Sequence, residues 1–388
     1  MRLRIVVVTL TTILFFAAAQ TPKPASSGLV KIAGGSGHNL ALFADGTVIG
    51  WRDMRSGALG PKSAIPNNNG QATACVRIPL PSKVVDIAAS SGTSYFLLDS
   101  GAILAMGDGR SGELGCGERC LARSEEPVAV AGIQDAVRIA AGSYTAFAVH
   151  RDGTVSGWGS PAYGLLGERG SNDAVPTPLP IPGLRDIADI SATGQTHVLA
   201  LTKAGKVWHW GKFPMGIVFA DDPVLAPHEV PGLSGVKTVV STWVAAALKN
   251  DGTVWVWGNN GQALFGNGRR EQIEKSPVPV RVAGVANVAE LAGANGGRHF
   301  LALLRDGTIR TWGNNDFGQA GNGAFGTFQM APATSKISGV KAVFAVGNNS
   351  YAVRNDGSIW FWGGGGGYEG VWPLGRKGAP LPIPFPFP

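Results

Sequence analysis

Apolar and polar residues alternate along this chain in short runs, and the same alternation keeps returning. HNLALF-ADG-TVIGW at 38–51 becomes HFLALL-RDG-TIRTW at 299–312. Runs with a period of two predict β-strands rather than helices. An Asp-Gly pair between two such runs suits a tight hairpin, because glycine accepts positive φ. Aligned on the turn glycine, the phrase falls at Gly46, Gly101, Gly153, Gly205, Gly252, Gly307 and Gly357, with intervals of 47 to 55 residues. Two residues later stands an aliphatic every time: Val48, Ile103, Val155, Val207, Val254, Ile309 and Ile359. Five residues later stand Trp51, Met106, Trp158, Trp210, Trp257, Trp312 and Trp362.

Each unit reads as four short strands. The first resembles KVVDIAAS (83–90), and the second and third flank the Asp-Gly turn. A glycine-rich loop follows Trp-Gly and leads to a fourth, such as PVPVRV (277–282). A small sheet that is apolar on both faces must stack on its neighbours, and closing the stack into a ring hides both ends. The predicted fold is therefore all-β, a seven-bladed β-propeller built from seven repeats of about 50 residues over 28–388. Trp51, Met106, Trp158, Trp210, Trp257, Trp312 and Trp362 are its expected repeat core. Trp208, Trp255 and Trp360, two residues earlier on the same strand face, are expected as additional core. LVKIAG (29–34) reads as a first strand and Pro380–Pro388 as a fourth, so the two termini are expected to meet in one closing contact.

The phrases GSGHNLALFADGTVIGW, GGRHFLALLRDGTIRTWG, FGQAGNG and SPVPVRVAG resemble the repeats of the regulator of chromosome condensation family. The resemblance runs over roughly 28–388 and implies a seven-bladed propeller. The fourth unit, LTKAGKVWHWGKFPMG, departs from it by lacking the Asp and the GQxGxG loop, and the first has Arg52 where glycine is expected. The family implies two precedents. One is nuclear nucleotide exchange on a small GTPase with chromatin contact; the other is a secreted propeller that inhibits a β-lactamase. No binding residue is carried over from either.

The N-terminus changes the picture of location. MRLRIVVVTLTTILFFAAAQ has a basic start, a short apolar run and three alanines, the form of a secretory signal peptide. Residues 1–19 are read as that signal and 20–27 as a linker, so the expected localisation is secreted or periplasmic. No membrane span is expected after cleavage. The formal charge is +7, of which Arg2 and Arg4 leave with the signal. The remaining basic residues are scattered, which argues against nucleic acid as a partner. Of the three cysteines, Cys75, Cys116 and Cys120, export permits one pair and leaves the third over.

Candidate chemistry is sparse. Gly107-DGRS-Gly112 matches G-x-G-x-x-G, but the same stretch recurs as the repeat's own loop, and a dinucleotide site needs a helix after it. No nucleophile elbow, P-loop or zinc-peptidase motif is present. His38, His197 and His299 share one repeat position but belong to units spread around the ring, so hydrogen bonding is expected of them rather than a metal site. Alternate connections of an up-and-down sheet share a face. The Asp-Gly hairpins therefore lie on one side and the long loops on the other. Loops on a rigid scaffold usually carry function, and these hold Tyr163, Phe213, Phe219, Phe325, Phe328 and Trp372. The expected function is that of an exported scaffold, a monomer without cofactor or metal, binding another protein through those aromatics. The alternative is a propeller lyase or hydrolase acting on an envelope or extracellular polysaccharide. That reading requires titratable side chains gathered near the axis, and the long-loop acids Glu168, Asp221 and Asp222 stand in different units.

Overall fold

The computed structural model describes residues 28–35, 37–52, 56–61, 75–118, 120, 122–167, 173–193, 196–212, 226–269, 275–293, 297–326, 328–364 and 377–383. They form seven four-stranded antiparallel sheets, each made of four consecutive strands. Blades 1 to 7 span 29–77, 84–129, 136–180, 187–229, 236–281, 288–334 and 340–383. In blade 5 the strands are Val236–Ser241, Val244–Lys249, Val254–Asn259 and Lys275–Arg281. Ala245 pairs with Trp257 and Leu248 with Val254, so the Asp-Gly turn closes the hairpin in the register the alternation requires.

First strands touch first strands around the ring, including blade 7 against blade 1. They line the axis, and the fourth strands form the rim. Several rim strands carry proline, as in KSPVPVR and FQMAPAT. Proline lacks the N–H that a further strand would need, which protects an exposed edge.

The core is divided by seam rather than gathered at one centre. Seven buried clusters each draw on two neighbouring blades. The repeated aromatic position lies in the seam with the preceding blade: Trp158 packs with Tyr95 and Leu97 of blade 2, and Trp312 with Val256 of blade 5. Trp158, Trp210, Trp257, Trp312 and Trp362 are all completely buried, with Met106 and Trp51 nearly so. Each such side chain contributes about 1.5–3 kcal/mol by leaving water. Aromatic pairs across the seams meet edge to face, with centroids of Tyr95–Trp158 and Phe147–Trp210 6.0 and 6.1 Å apart.

Three expectations change. The last blade's fourth strand is Lys377–Ile383, earlier than 380–388. It pairs with the third strand of its own sheet, Leu381 opposite Phe361. The described chain therefore starts on an axial strand and ends on a rim strand. The closing contact is made by blade faces, Ile32 and Trp51 against Val346, Tyr351 and Phe361, rather than by the two termini. Trp208, Trp255 and Trp360 are only half-buried. The indole N–H of Trp255 and of Trp360 donates to the turn hydroxyls of Thr253 and Ser358 at 3.1 and 2.9 Å. They lie at the hairpin end of the strand, where the seam opens to water. Arg52 adopts φ 94°, in the left-handed region that its counterparts Gly159 (100°) and Gly313 (102°) occupy without a side chain to strain.

Candidate interaction face and axial channel

The two faces of the ring are built differently. On the hairpin face the turn glycine bonds to the next blade: Gly101, Gly153, Gly252 and Gly307 accept from the backbone N–H of Ala136, Ile187, Val288 and Val340 at 3.0–3.1 Å. A Cβ at Gly101 would stand 2.6 Å from the carbonyl oxygen of Gln134, so glycine is needed here for space as well as for φ 93°. The turn aspartates fold back on themselves. Asp251 accepts from the N–H and hydroxyl of Thr253 at 2.9 and 2.6 Å, and Asp306 does the same with Thr308. The Thr253 and Thr308 hydroxyls, then the backbone N–H groups, hold these carboxyls below the usual range. Their hydrogen-bonding capacity serves the turn.

On the opposite face, the loop after Trp-Gly is tied to the core of the next blade. The indole N–H of Trp158, Trp210, Trp312 and Trp362 donates to the carbonyl of Glu113, Leu165, Leu264 and Gln319 in the preceding blade's loop, at 2.7–2.9 Å. Gln319 also turns its side chain inward to accept from Phe317 N–H at 2.9 Å. That bond is the physical content of the glutamine in GQxGxG; Glu113 does the same with Ser111 N–H at 2.8 Å.

The three repeat histidines lie in seams, each bonded to a serine of the next blade. Nε2 of His38, His197 and His299 is 2.9 Å from the hydroxyl of Ser94, Ser241 and Ser350. Ser94 and Ser350 donate their single proton to the carbonyls of Ala58 and Gln319 at 2.6 and 3.0 Å. His38 and His299 must then carry the proton on Nε2. Burial lowers His197 and His299 to about 3, so both stay neutral.

The axis holds a feature that sequence reasoning missed. The third residue of each first strand forms a belt, of which five members ionise: Lys31, Asp86, Arg138, Asp189 and Glu290. Lys31 Nζ is 2.6 Å from Asp86 Oδ1. Asp86 also accepts from the N–H of Ile87 at 2.9 Å and from that of Ile139, in the next blade, at 3.3 Å. Asp189 accepts from Ile190 N–H at 3.0 Å, and its carboxyl is raised by burial against the pull of that N–H, Lys31 and Arg138. Burial pushes Glu290 up to about 7, opposed by the N–H of Val343 and by Lys237. The signal was present as polar residues interrupting apolar strands at one register. These carboxylates spend their lone pairs on backbone N–H groups and Lys31. Asp86 and Glu290 thereby tie neighbouring blades, while Asp189 bonds within its own strand. From the belt toward the long loops, the channel opens into a recess of about 200 Å³ whose walls include Lys31 and Ser191 as well as Ala89, Ala141, Ala192 and Gly293.

Of the expected loop aromatics, Tyr163 and Phe325 are exposed, at 45% and 46%, and Phe328 is half-buried. Tyr163 stands on blade 3 and Phe325 and Phe328 on blade 6, so the structure does not gather them into one patch. Phe213, Phe219 and Trp372 lie outside the described residues, as do Glu168, Asp221 and Asp222. Two aromatics that were not expected come from the short first turns. Tyr144 of blade 3 is 46% exposed. Trp243 of blade 5 lies under the Arg298 guanidinium of blade 6, whose carbon is 4.2 Å from its ring centroid. Cys116 and Cys120 form a disulfide within the blade 2 loop. Cys75 is a free, half-buried thiol pushed up to about 12 by burial. Among the described residues no helix is long and apolar enough to cross a membrane.

Seven radial sheets with these seams define a propeller of the class commonly used as a protein-interaction scaffold. A sequence model of the regulator of chromosome condensation (RCC1) repeat matches residues 136–165 and 294–319. The E3 ubiquitin-protein ligase HERC2 of Homo sapiens is 29% identical over 324 residues, covering 80% of this chain and 6% of the ligase. The ultraviolet-B receptor UVR8 of Arabidopsis thaliana is 28% identical, over 73% of this chain and 66% of the receptor. Among solved structures, Prp20p of Saccharomyces cerevisiae superposes with TM-score 0.75 at 22% identity, covering 89% of this chain and 87% of that one. Human WBSCR16 gives 0.67 at 21%, over 82% and 85%. Two segments of this seven-bladed propeller thus match the RCC1 repeat, and the chain spans a small fraction of the ligase and about two thirds of the receptor.

Proposed function

We propose that this chain is an exported propeller that binds a protein partner on its long-loop face. The difference between the two faces carries the reading. The hairpin face engages its turn glycines with the next blade and its turn aspartates with their own turns. The long-loop face leaves Tyr144, Tyr163 and Phe325 in water; Arg298 stacks on Trp243 there, as Arg354 does on Trp360 at the hairpin end. Aromatic and arginine side chains are the usual anchors of protein interfaces. Prp20p, which shares the fold, is described by its binding to Gsp1p and histones.

Export is supported by the form of residues 1–19 and by the Cys116–Cys120 disulfide, which suits an oxidising compartment. Fractionation of cells carrying the full chain tests location. The expected product is extracytoplasmic, with an N-terminus near Gln20; an intact chain in the cytoplasm would refute export. Pull-down from the extracytoplasmic fraction tests the face. A partner lost on Tyr144→Ser or Phe325→Ser, and kept on Asp152→Asn in the hairpin face, is the expected result. The reverse pattern would place the partner elsewhere.

A further inference from the structure

The connection from one blade to the next carries an aliphatic plug. Three residues before a new first strand stand Ile133, Leu184, Leu233, Val285 and Ile337, all buried. Each packs in the seam it bridges. Ile133 shares a cluster with Ile103 and Val130, Leu184 with Val155 and Ile181, and Val285 with Val254 and Val282. In four of these connections a glycine in the left-handed region precedes the plug: Gly132, Gly183, Gly232 and Gly284. It turns the chain so that the next side chain enters the seam.

The connection from blade 1 to blade 2, IPLPSK at 78–83, breaks this rule. Leu80 stands at the glycine position and Pro81 at the plug position. Proline fixes its own φ and drives the preceding residue toward extended backbone, so the left-handed turn is not available. Pro81 is exposed, and Leu80 is only half-buried at the edge of the seam cluster. The latch beside it changes too. Gly101, Gly153, Gly205, Gly252 and Gly307 accept from the first backbone N–H of the next blade at 3.0–3.2 Å. Among the described residues no such bond joins Gly46 to Val84.

A cavity of about 290 Å³ lies at this corner of the hairpin face. Val48 and Ile78, the counterparts of the pair that holds Ile133, form its wall with Pro79 and Leu80. The other seams show what such a wall accepts: the branched side chain of Ile, Leu or Val. The rim is polar and consists of Asp45, Thr47, Arg77, Ser82 and Lys83. Asp45 spends its carboxylate on the N–H and hydroxyl of Thr47 at 2.9 and 3.0 Å. The same Thr47 oxygen receives Arg77 Nη2 in a long bond of 3.4 Å. Arg77 and Lys83 can only donate, so the mouth holds donors in excess and, with Asp45 counted, one net positive charge. An apolar wall under a few convergent polar groups is the usual make-up of a small-molecule site.

We propose that this cavity binds a small branched aliphatic carboxylate, its hydrocarbon replacing the plug and its carboxylate meeting Arg77 and Lys83. The site lies on the hairpin face and stands or falls apart from the partner's place on the long-loop face.

Titration of the full chain with 4-methylpentanoate, followed by the methyl resonances of Val48, Ile78 and Leu80, tests it. Saturable shifts of these groups are expected. Affinity should fall about fivefold or more on Arg77→Gln or Lys83→Gln, and about as much when the acid is replaced by 4-methylpentanamide. The corresponding amine should not bind. Leu80→Gly with Pro81→Ile restores the glycine and plug of the other seams; it should raise the melting temperature and abolish binding. If that double variant fails to fold, the Arg77 and Lys83 variants still decide. Absence of a saturable shift, equal binding of acid and amine, or undiminished binding in both charge variants overturns the site. Undiminished binding in a folded plug variant does the same.

Discussion

The seam between blades 6 and 7 and the seam between blades 4 and 5 have the same skeleton and different joints. In the first, one loop carbonyl does two jobs. Gln319 O receives the indole N–H of Trp362 at 2.7 Å and the hydroxyl of Ser350 at 3.0 Å, and Ser350 in turn receives His299. In the second, the histidine–serine bond persists, His197 to Ser241 at 2.9 Å, but the unit lacks GQxGxG. The indole N–H of Trp257 finds no acceptor among the described residues. Two further histidines occupy the seam instead. His209 lies 5.7 Å from His197 and 5.3 Å from His228, ring centroid to centroid. The comparison shows that glycine and tryptophan positions shape the blade, while the loop supplies the polar joint and can be exchanged without altering the sheet.

The largest expected effect comes from emptying the intact joint. Trp362→Ala should cost about 3–5 kcal/mol, with the hydrogen bond to the Gln319 carbonyl lost as well as the packing. Trp257→Ala should cost less, since no loop acceptor among the described residues is abandoned. Urea midpoints measured side by side decide, and equal losses would mean that the fourth loop supplies an acceptor after all.

Acid should separate the seams next. Burial is the first cause lowering His197, to about 3, and also lowers His209 and His228; the neighbouring imidazoles lower His209 further. A histidine whose folded pKa lies below its unfolded value near 6.5 stabilises the fold above that pH. Its contribution is lost as pH falls from about 6.5 toward about 3. Three such groups share the 4–5 seam, whereas His299 alone is lowered this way in the 6–7 seam. Amide exchange in 236–249 should therefore accelerate on acidification before that in 340–354. His209→Leu should remove much of the difference, and simultaneous opening of both seams would count against it.

The finest contrast is conservative. Trp362→Phe deletes a buried hydrogen bond and should cost about 1 kcal/mol beyond the change in packing. Trp257→Phe should show the packing change alone. Thermal melts at neutral pH report the difference.

How much of this was legible in the sequence depends on what sets each feature. The turn glycine, the strand alternation and the Trp position showed directly, because each is a local rule that recurs around the ring, the glycine in all seven units and the Trp in six, and repetition averages out noise. The histidines could be assigned to hydrogen bonding but not to a partner, since Ser94, Ser241 and Ser350 stand 44 to 56 residues away. The axial belt escaped attention because Lys31, Asp86, Arg138, Asp189 and Glu290 look like ordinary interruptions of apolar strands until a ring brings them to one level. The candidate site was the least legible part. Long loops drew attention to Tyr163 and Phe325, while Trp243 and Arg298 stand in short turns 55 residues apart.

The sequence alone determined the unit: its strands, its tight turn, the indole that must be buried, and hence the need for neighbours and for closure. Those are consequences of periodicity and of apolar surface leaving water, and both act within a single repeat. The tertiary structure decided what the repeats do to one another. It chose which loop carbonyl meets which indole, set the charges on the axis, and made the two faces unlike. Such pairings join residues from different units at distances of a few ångströms. No spacing along the chain encodes them until the blades are radially packed.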